Sequence, residues 1–291
     1  MSRAAIPDDA WLSVLARTLR GDVAVVGRAG LAGGYASGGV ERVDLTVDGL
    51  ARSVVVKPAG AVEVAALRAV AVVPGLDAPV LATGAGWAVL PFHDGPALAG
   101  GPAVPGEVPA MLARVHAHWL GKRPRAVPVA DGAWWRALCA RVRPAVVGAG
   151  TRSGDAVFTE VAAALAAWAD DPRALAAAAV LPRTLVHGDP HRGNILLDPA
   201  GAALIDWGNA LVAPAAFDLA VLRAEGPVDL TAYLALAAAP TPAEDAWARL
   251  AMPDRYLGFA ADHLGPARVA ELAGMAEQGL ADLGPALGPR P

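Results

Sequence analysis

The stretch that decides the fold reads LVHGDPHRGNILLDPAGAALIDWG and covers residues 185–208. It holds two short apolar runs, ILLD and AALIDW, on either side of a Pro-Ala-Gly turn at 199–201, a pattern that predicts a β-hairpin. Asn194 stands directly before the first run and Asp206 near the end of the second. A hairpin brings its two ends together, so we expect these two side chains to lie close to each other. Asp189 falls in a loop just after an apolar strand.

Carboxylate and amide oxygens in this arrangement suit phosphoryl transfer. That reaction needs a carboxylate that orients the attacking hydroxyl group and accepts its proton, and oxygen ligands that hold Mg²⁺ against a nucleoside triphosphate. Asp189 lies just after an apolar strand, as a base for the first task should, and Asn194 and Asp206 lie at the two ends of the hairpin. The other interpretation is a plain loop rich in turn and helix-capping residues.

The motifs HGDPHRGN (187–194) and DWG (206–208) resemble the catalytic loop H-R-D-x-x-x-x-N and the metal-binding D-F-G of protein kinases. They more closely resemble the motifs H-G-D-x-H-x-G-N and I-D-W of the aminoglycoside phosphotransferase family. The resemblance implies that Asp189 is the catalytic base, that Asn194 and Asp206 bind Mg²⁺, and that the phosphate donor is ATP, with GTP as the alternative. His187 and His191 are expected to orient the catalytic loop.

Two departures from protein kinases indicate a small-molecule acceptor. Gly188 replaces the arginine that in many protein kinases pairs with a phosphorylated activation loop. The run from Asp206 to Asp218 is too short for a long activation segment and carries no A-P-E motif. The family's downstream pattern, a proline followed by D-L-A, occurs here as Pro214 and Asp218-Leu-Ala. We expect Asp218 to anchor the catalytic loop through its backbone.

The pattern along the chain predicts an α+β, bilobal, protein-kinase-like fold, with a small β-rich N-terminal lobe (1–93) and a larger, mostly α-helical C-terminal lobe (94–291). Period-two alternation and turn residues predict an antiparallel sheet in the first lobe, and helical spacing predominates after a Gly/Pro-rich linker near 91–106. The predicted strands are 22–29, 40–49, 52–58, 79–83 and 87–92, with a helix at 61–71. The predicted later helices are 108–120, 132–142, 158–169, 232–239 and 255–264.

The N-terminal lobe of a kinase supplies a lysine that reaches the α- and β-phosphates. The chain has two lysines, and Lys57 ends the apolar strand 54–56, where such a lysine is expected. Its usual partner is a helix glutamate, for which Glu63 is the candidate, although the spacing is short for the family. The alternative interpretation of Glu63 is a solvated residue in the first turn of a helix.

Two further N-terminal segments suit a nucleotide. The glycine-rich run 33–37, with Gly33, Gly34 and Ser37, lies between two predicted strands, where backbone N–H groups can approach phosphate; a plain hairpin turn is the alternative. Residues 89–95 are similar to the family's interlobe hinge. By that analogy, the Pro91 carbonyl and the His93 N–H bind adenine, and the His93 side chain has no expected role.

Composition excludes several classes of protein. With 291 residues, 55% hydrophobic and 18% charged, the chain is globular. The net charge of -4 gives no basic surface for nucleic acid or anionic lipid. The single cysteine, Cys139, allows no intramolecular disulfide and has no apparent base nearby. His116 and His118 lie two apart on a predicted helix, which makes them a poor metal pair. We found no signal peptide or membrane span and expect a cytoplasmic protein.

The acceptor is the least determined feature. Relatives that modify cationic antibiotics line the acceptor pocket with acidic side chains, and residues 225–291 hold nine acidic against four basic residues. The candidates there are Glu225, Asp229, Asp254, Asp262 and Glu271, with Trp134, Trp135, Trp207 and Tyr256 as groups that could stack on a ring. A solvated helix face and a buried core are the alternative interpretations.

We therefore expect a kinase for an aminoglycoside-like or other cationic antibiotic. The alternatives are a kinase for choline, a sugar or an amino acid and, from another class, a catalytically silent nucleotide-binding pseudokinase.

Overall fold

Alternating apolar residues build the antiparallel sheet of the N-terminal lobe. The protein was analysed as a computed structural model that describes residues 6–31, 39–98, 100, 103–199 and 201–288. Its main sheet has the strand order β1-β2-β3-β5-β4. The bounds are β1 (Val23–Gly30), β2 (Glu41–Val47), β3 (Leu50–Pro58), β4 (Ala82–Gly84) and β5 (Trp87–Pro91). Asp48 and Gly49 both have positive φ, as a two-residue hairpin turn requires.

Two helices flank this sheet. Helix α2 (Ala61–Val70) was expected, whereas α1 (Asp8–Leu19) was not. Helix α1 buries only Trp11 and Leu15, so its apolar face is too sparse to stand out in the sequence. Both side chains are fully buried in a cluster with apolar residues of β2, β3 and β5. The helix therefore covers one face of the sheet.

The chain leaves the sheet at Pro91 and joins the C-terminal lobe through backbone hydrogen bonds. Leu98 N–H donates to the Ile195 carbonyl at 2.7 Å, and Leu197 N–H donates to the Pro96 carbonyl at 2.9 Å. At Gly95 a Cβ atom would lie 1.9 Å from the Leu197 carbonyl oxygen. Only glycine fits this close approach between the linker and the C-terminal lobe.

The remaining helices form the C-terminal lobe. Segment 232–239 was expected to be helical throughout, but its helix α8 is one turn long, and Pro240 and Pro242 follow it. A Thr241–Glu244 capping box then begins α9. The bounds are α3 (Glu107–Trp119), α4 (Gly132–Ser153), α5 (Ala156–Trp168), α6 (Pro172–Val180), α7 (Ala216–Arg223), α8 (Thr231–Leu234), α9 (Pro242–His263) and α10 (Pro266–Leu287).

Two short two-stranded sheets place the motif residues at the boundary between the lobes. Strand β6 (Thr184–Val186) pairs with β9 (Leu211–Ala213), and β7 (Ile195–Asp198) pairs with β8 (Gly201–Leu204) as the predicted hairpin. The loop 187–194 follows β6, and residues 205–209 follow β8. The fold is thus the two-lobed α+β architecture expected from the sequence. Within the described residues, no helix is both long and apolar enough to cross a membrane.

Candidate active site

A buried carboxylate holds the start of the catalytic loop. Asp218, on α7, has no exposed surface. Its Oδ2 accepts from the His187 N–H at 2.8 Å, and its Oδ1 accepts from the Gly188 N–H at 2.7 Å. Nε2 of His116, on α3, lies 3.1 Å from the same Oδ2. This is the anchoring geometry expected of Asp218, and it gives His116 a polar contact that the sequence did not reveal.

Gly188 has a steric reason to be glycine. Its φ is +82°, and a Cβ atom there would lie 2.2 Å from the Asn209 carbonyl oxygen. An arginine such as protein kinases carry at this position would therefore clash with the backbone after Asp206. The same packing holds residues 188 and 209 against each other.

The neutral imidazole of His187 holds the loop 187–194 in place through two hydrogen bonds. Its Nε2 lies 2.9 Å from the Ile205 carbonyl, and its Nδ1 lies 3.2 Å from the Asp189 N–H. Burial lowers the pKa of His187, with Asp218 opposing this effect, so the imidazole is neutral at pH 7. Nε2–H then donates to Ile205 and Nδ1 accepts from Asp189, which fixes one tautomer.

Both carboxylate oxygens of Asp189 have a donor. The Tyr256 hydroxyl donates to Oδ1 at 2.5 Å, and the Asn209 amide donates to Oδ2 at 3.0 Å. His191 Nε2 lies 4.0 Å from Oδ2, and its Nδ1 accepts from the Gly193 N–H at 3.0 Å. A carboxylate offers about four acceptor positions, so the two observed donors leave room for a substrate hydroxyl group.

Sequence reasoning missed two residues that support Asp189. Asn209 directly follows the D-W-G motif, and that adjacency was the available signal. Arg255, on α9, donates to the carbonyls of Gly188 and Asn209, both at 3.2 Å. No motif marks Arg255, because its partners lie far away along the chain. Arg255 therefore connects the loop 187–194 to the residues that follow Asp206.

The hairpin brings Asn194 and Asp206 together. The Ile205 N–H donates to the Asn194 carbonyl at 2.9 Å, which places Asp206 next to that pair. The Asn194 side-chain amide donates to the Asp189 carbonyl at 2.8 Å. Asp206 has a φ of +65° and a half-exposed side chain, a left-handed conformation that aspartate tolerates better than most residues.

Lys57 links the two lobes. Its Nζ lies 2.8 Å from Glu63 Oε1 and 3.6 Å from Asp206 Oδ1. Glu63 is 6% exposed, so the interpretation as a solvated helix residue is wrong. Burial raises the pKa of Glu63, and Lys57 acts against that rise. Helix α2 begins only two residues after β3 ends, which is why the short spacing still allows the ion pair.

The donor set near Lys57 fits Mg²⁺. Asn194 and Asp206 offer oxygen atoms, which hard divalent cations prefer, and Mg²⁺ commonly binds through one or two carboxylates together with substrate phosphates. Among the residues that the structure describes, no group of three or more His, Cys, Asp or Glu side chains could hold a metal ion.

Of the segment predicted to form the interlobe hinge, residues 89–95, Pro91 ends β5 and pairs with Val54 of β3. The His93 side chain, for which no role was expected, has its Nδ1 3.2 Å from Asp198 Oδ2 on β7. That contact connects segment 89–95 to the β7–β8 hairpin. Gly33, Gly34 and Ser37 lie outside the described residues.

Several tryptophans that were predicted to line the acceptor pocket pack within the protein instead. Trp207 is 1% exposed and packs against the His187 ring, with the ring centroids 4.5 Å apart. Trp135 is fully buried and donates to the Trp168 carbonyl. Trp134 packs against the helical core. Burial leaves little of either ring exposed for a substrate to stack on, although Trp207 is among the residues that line the cavity beside Pro91 and His93.

The acidic residues that were predicted for the acceptor pocket also lie in different surroundings. Asp254 is fully buried, which contradicts a place in a pocket lining. Asp262 and Glu271 form surface ion pairs with Arg152 and Arg268, and Asp229 caps α8 through the Thr231 N–H at 2.8 Å. Only Glu225 of this set contacts the catalytic loop, where its carboxylate accepts from the Arg192 N–H at 2.8 Å.

Asp254 makes a testable contribution to stability. Its Oδ2 is 3.9 Å from Cys139 Sγ, and its Oδ1 has no hydrogen-bond partner. Burial raises the pKa of Asp254 well above its usual range, and it also raises the pKa of Cys139 to about 12. The thiol is thus no nucleophile, and burial favours the protonated form of the Asp254 carboxyl group.

We expect Asp254→Asn to remove a pH dependence of folding. In the wild type the unfolded chain releases the Asp254 proton above its ordinary pKa of 3.8, while the folded chain keeps it. Stability from this group is therefore complete below that pKa and falls by about 1.4 kcal/mol per pH unit as pH rises towards the folded pKa. Urea unfolding of both proteins at about pH 4.5 and about pH 5.5 measures the difference. Parallel curves would contradict a proton on Asp254.

A β-rich lobe with a Lys–Glu ion pair, facing the loop that carries Asp189 and Asn194 and the turn that carries Asp206, is the arrangement of kinase-like phosphotransferases. The sequence model of the phosphotransferase enzyme family, APH, matches residues 53–253. The chain belongs to this family, whose reaction is phosphoryl transfer to an alcohol group. No curated protein sequence is significantly similar to the chain.

Solved structures share the fold at low sequence identity. A choline/ethanolamine kinase family protein from Mesorhizobium loti is 18% identical, with a TM-score of 0.54 over 88% of this chain and 94% of that one. The choline kinase LicA from Streptococcus pneumoniae is 16% identical, with a TM-score of 0.53 over 89% and 94%. A Ralstonia eutropha protein, provisionally assigned as an aminoglycoside phosphotransferase, is 14% identical, with a TM-score of 0.50 over 94% and 98%. Similarity at this level establishes the fold and leaves the acceptor open.

Proposed function

We propose that this enzyme transfers the γ-phosphate of ATP, or of GTP, to a hydroxyl group of a small molecule, with Asp189 as the catalytic base. The observation that carries the proposal is the geometry of Asp189, whose two oxygens are oriented by Tyr256 and Asn209 at 2.5 and 3.0 Å. A base must be held in a fixed direction to take a proton as the new bond forms. Asp218 also fixes the backbone just before Asp189, because its carboxylate accepts from the N–H groups of His187 and Gly188.

The nucleotide-binding roles follow from the ion pairs. Lys57, held by Glu63 at 2.8 Å, is the group that would bind the α- and β-phosphates. Asn194 and Asp206 would hold Mg²⁺, which when bound supplies positive charge to the phosphate oxygens. The backbone at Pro91 and His93 would bind the base of the nucleotide.

The proposed transfer step forms one bond to the γ-phosphorus and breaks another. The acceptor hydroxyl oxygen attacks the γ-phosphorus, and its proton passes to Asp189. The bond from that phosphorus to the bridging oxygen breaks, and the nucleoside diphosphate leaves. The motif set is intact, and Glu63 is paired rather than solvated, which favours turnover over a silent nucleotide-binding pseudokinase.

For the acceptor we propose a small cationic hydroxyl compound, with an aminoglycoside-like antibiotic as the first candidate. Its support is Glu225, whose carboxylate reaches the catalytic loop. Asp254 and Asp262 no longer contribute to this argument, since one is buried and the other is paired at the surface. The metabolite alternatives remain choline, sugars and amino acids.

The test is a phosphate-transfer screen with radiolabelled ATP or GTP and Mg²⁺. Aminoglycosides, other antibiotics, choline, sugars and amino acids serve as acceptors, and expression of the gene in a sensitive strain provides a growth-protection readout. We expect the highest kcat/KM for a cationic hydroxyl compound, and a several-fold rise in its KM on Glu225→Gln. Preference for a neutral sugar would overturn the acceptor class, and nucleotide binding without any transfer would support the pseudokinase instead.

A further inference from the structure

A cavity of about 1120 Å³ lies behind α2, on the side of that helix away from Lys57. Its walls are the turn 58–60 between β3 and α2, one face of α2, the turn 84–86 between β4 and β5, and segment 119–126 after α3. It is about twice the 590 Å³ of the cavity beside the hinge. A volume of this size is sufficient for a drug-sized small molecule.

Helical geometry separates this cavity from the proposed nucleotide site. Residues 61, 65, 68 and 72 lie at helical spacing and line the cavity. Glu63 lies on a different face and pairs with Lys57. The cavity and the ion pair are therefore on opposite sides of the same helix.

The lining has a definite chemistry. It is mostly apolar, with the half-buried Trp119 ring held against α2 by a hydrogen bond from its Nε1 to the Ala69 carbonyl at 3.1 Å. Arg68 and Arg125 are its charged residues, and no acidic side chain is among the described residues that line it. Arg68 Nε donates to Thr83 Oγ1 at 2.8 Å. That bond engages one of the five N–H donors of the guanidinium group and holds it at the rim.

We propose that this cavity is a binding site for a small amphipathic anion, with an apolar ring or chain against α2 and Trp119 and a single carboxylate at Arg68 and Arg125. An apolar pocket with few, convergent polar groups is the usual form of a small-molecule site. Two arginines without an acidic neighbour in the lining select a negative charge, since arginine matches a carboxylate in geometry.

The site is placed to act on the nucleotide site. An occupant would contact the turn that follows Lys57 and the helix that carries Glu63, so it would bind differently to states in which that ion pair is formed or broken. Such a difference is what couples two sites, and the coupling is reciprocal. Binding in the cavity stands by itself, and only this effect on nucleotide affinity rests on the proposed function.

Calorimetric titration of the full-length protein with naphthalene-2-acetate, and with its uncharged amide, tests the proposal. We expect saturable binding of the carboxylate at one site and binding of the amide weaker by about fivefold or more, the order expected of a charge-assisted hydrogen bond. Arg68→Gln and Arg125→Gln are each expected to reduce the preference for the carboxylate over the amide. Arg268→Gln, a surface arginine on α10, is the matched control and should leave both affinities unchanged.

Location is tested by filling the cavity. Ala65→Trp places a large ring inside it, and Val72→Trp, at an exposed position of the lining, serves if the first variant does not fold. Either is expected to abolish binding of naphthalene-2-acetate. Equal affinity for carboxylate and amide, or binding that survives a folded filling variant, would overturn the proposal. Titration with Mg²⁺ and nucleotide is a separate measurement, so a failure of the kinase proposal is distinguishable from a failure of this one.

Discussion

We expect Asp189→Asn to lower kcat by about three orders of magnitude and to leave nucleotide binding intact. This is the expected result if Asp189 accepts the proton, because a positioned general base contributes roughly 10²–10⁴-fold. Asparagine keeps the shape; its amide oxygen can accept from Asn209 and its NH2 group can donate to the Tyr256 hydroxyl, so the loop is retained while the base is lost. Steady-state kinetics with the best acceptor from the screen measures the change.

Asp206→Asn is the matched variant with the opposite expectation. It removes a carboxylate proposed to hold Mg²⁺, so it weakens Mg²⁺-dependent nucleotide binding itself. Thermal unfolding separates the two variants, because a ligand at about 100 times its Kd stabilises the folded state by about 2.7 kcal/mol. We expect that stabilisation in the wild type and in Asp189→Asn, and its loss in Asp206→Asn. Asp282→Asn, which affects only surface contacts with Arg249 and Gln278, is the control for both.

An Asp189→Asn enzyme with wild-type kcat would remove Asp189 from its role. Loss of nucleotide stabilisation in Asp189→Asn would instead assign it to nucleotide binding. Either result leaves the fold and the family unchanged, because they rest on residues 53–253 as a whole.

The parts of the site that the sequence predicted are those that local rules determine. A Pro-Ala-Gly turn between two apolar runs makes a hairpin regardless of its surroundings, and that hairpin alone brings Asn194 next to Asp206. Lys57 was also predictable from the local sequence pattern, since it ends an apolar strand. Glu63 could be suggested only as the nearest glutamate, and the tight turn between β3 and α2 makes it the partner.

The parts that the sequence did not predict depend on contacts between distant segments. Tyr256 and Arg255 reach the catalytic loop from α9, and His116 reaches Asp218 from α3. No local spacing encodes such pairs. The count of acidic residues was misleading for the same reason, because Asp254 counts as an acidic residue in the sequence yet is buried in the core, facing Cys139.

Asp218→Ala is expected to have the largest effect on stability. Its carboxylate accepts from two backbone N–H groups and contacts His116, all of them buried. Alanine leaves both donors without their acceptor, at a cost of about 1–3 kcal/mol for each group. The free energy of unfolding should therefore fall by about 2–6 kcal/mol, and kcat should fall with it because Gly188 and Asp189 lose their anchor.

Urea unfolding with Asp229→Ala as the control distinguishes anchoring from an ordinary cap. Asp229 also accepts a backbone N–H, but at the exposed start of α8, where loss of a cap costs about 1 kcal/mol. His116→Ala, alone and combined with Asp218→Ala, completes a double-mutant cycle. The two changes should be strongly non-additive, because both remove the same buried network. A loss in Asp218→Ala no greater than that in Asp229→Ala would mean that the loop keeps its shape without this carboxylate, and that Tyr256, Asn209 and Arg255 suffice to hold Asp189.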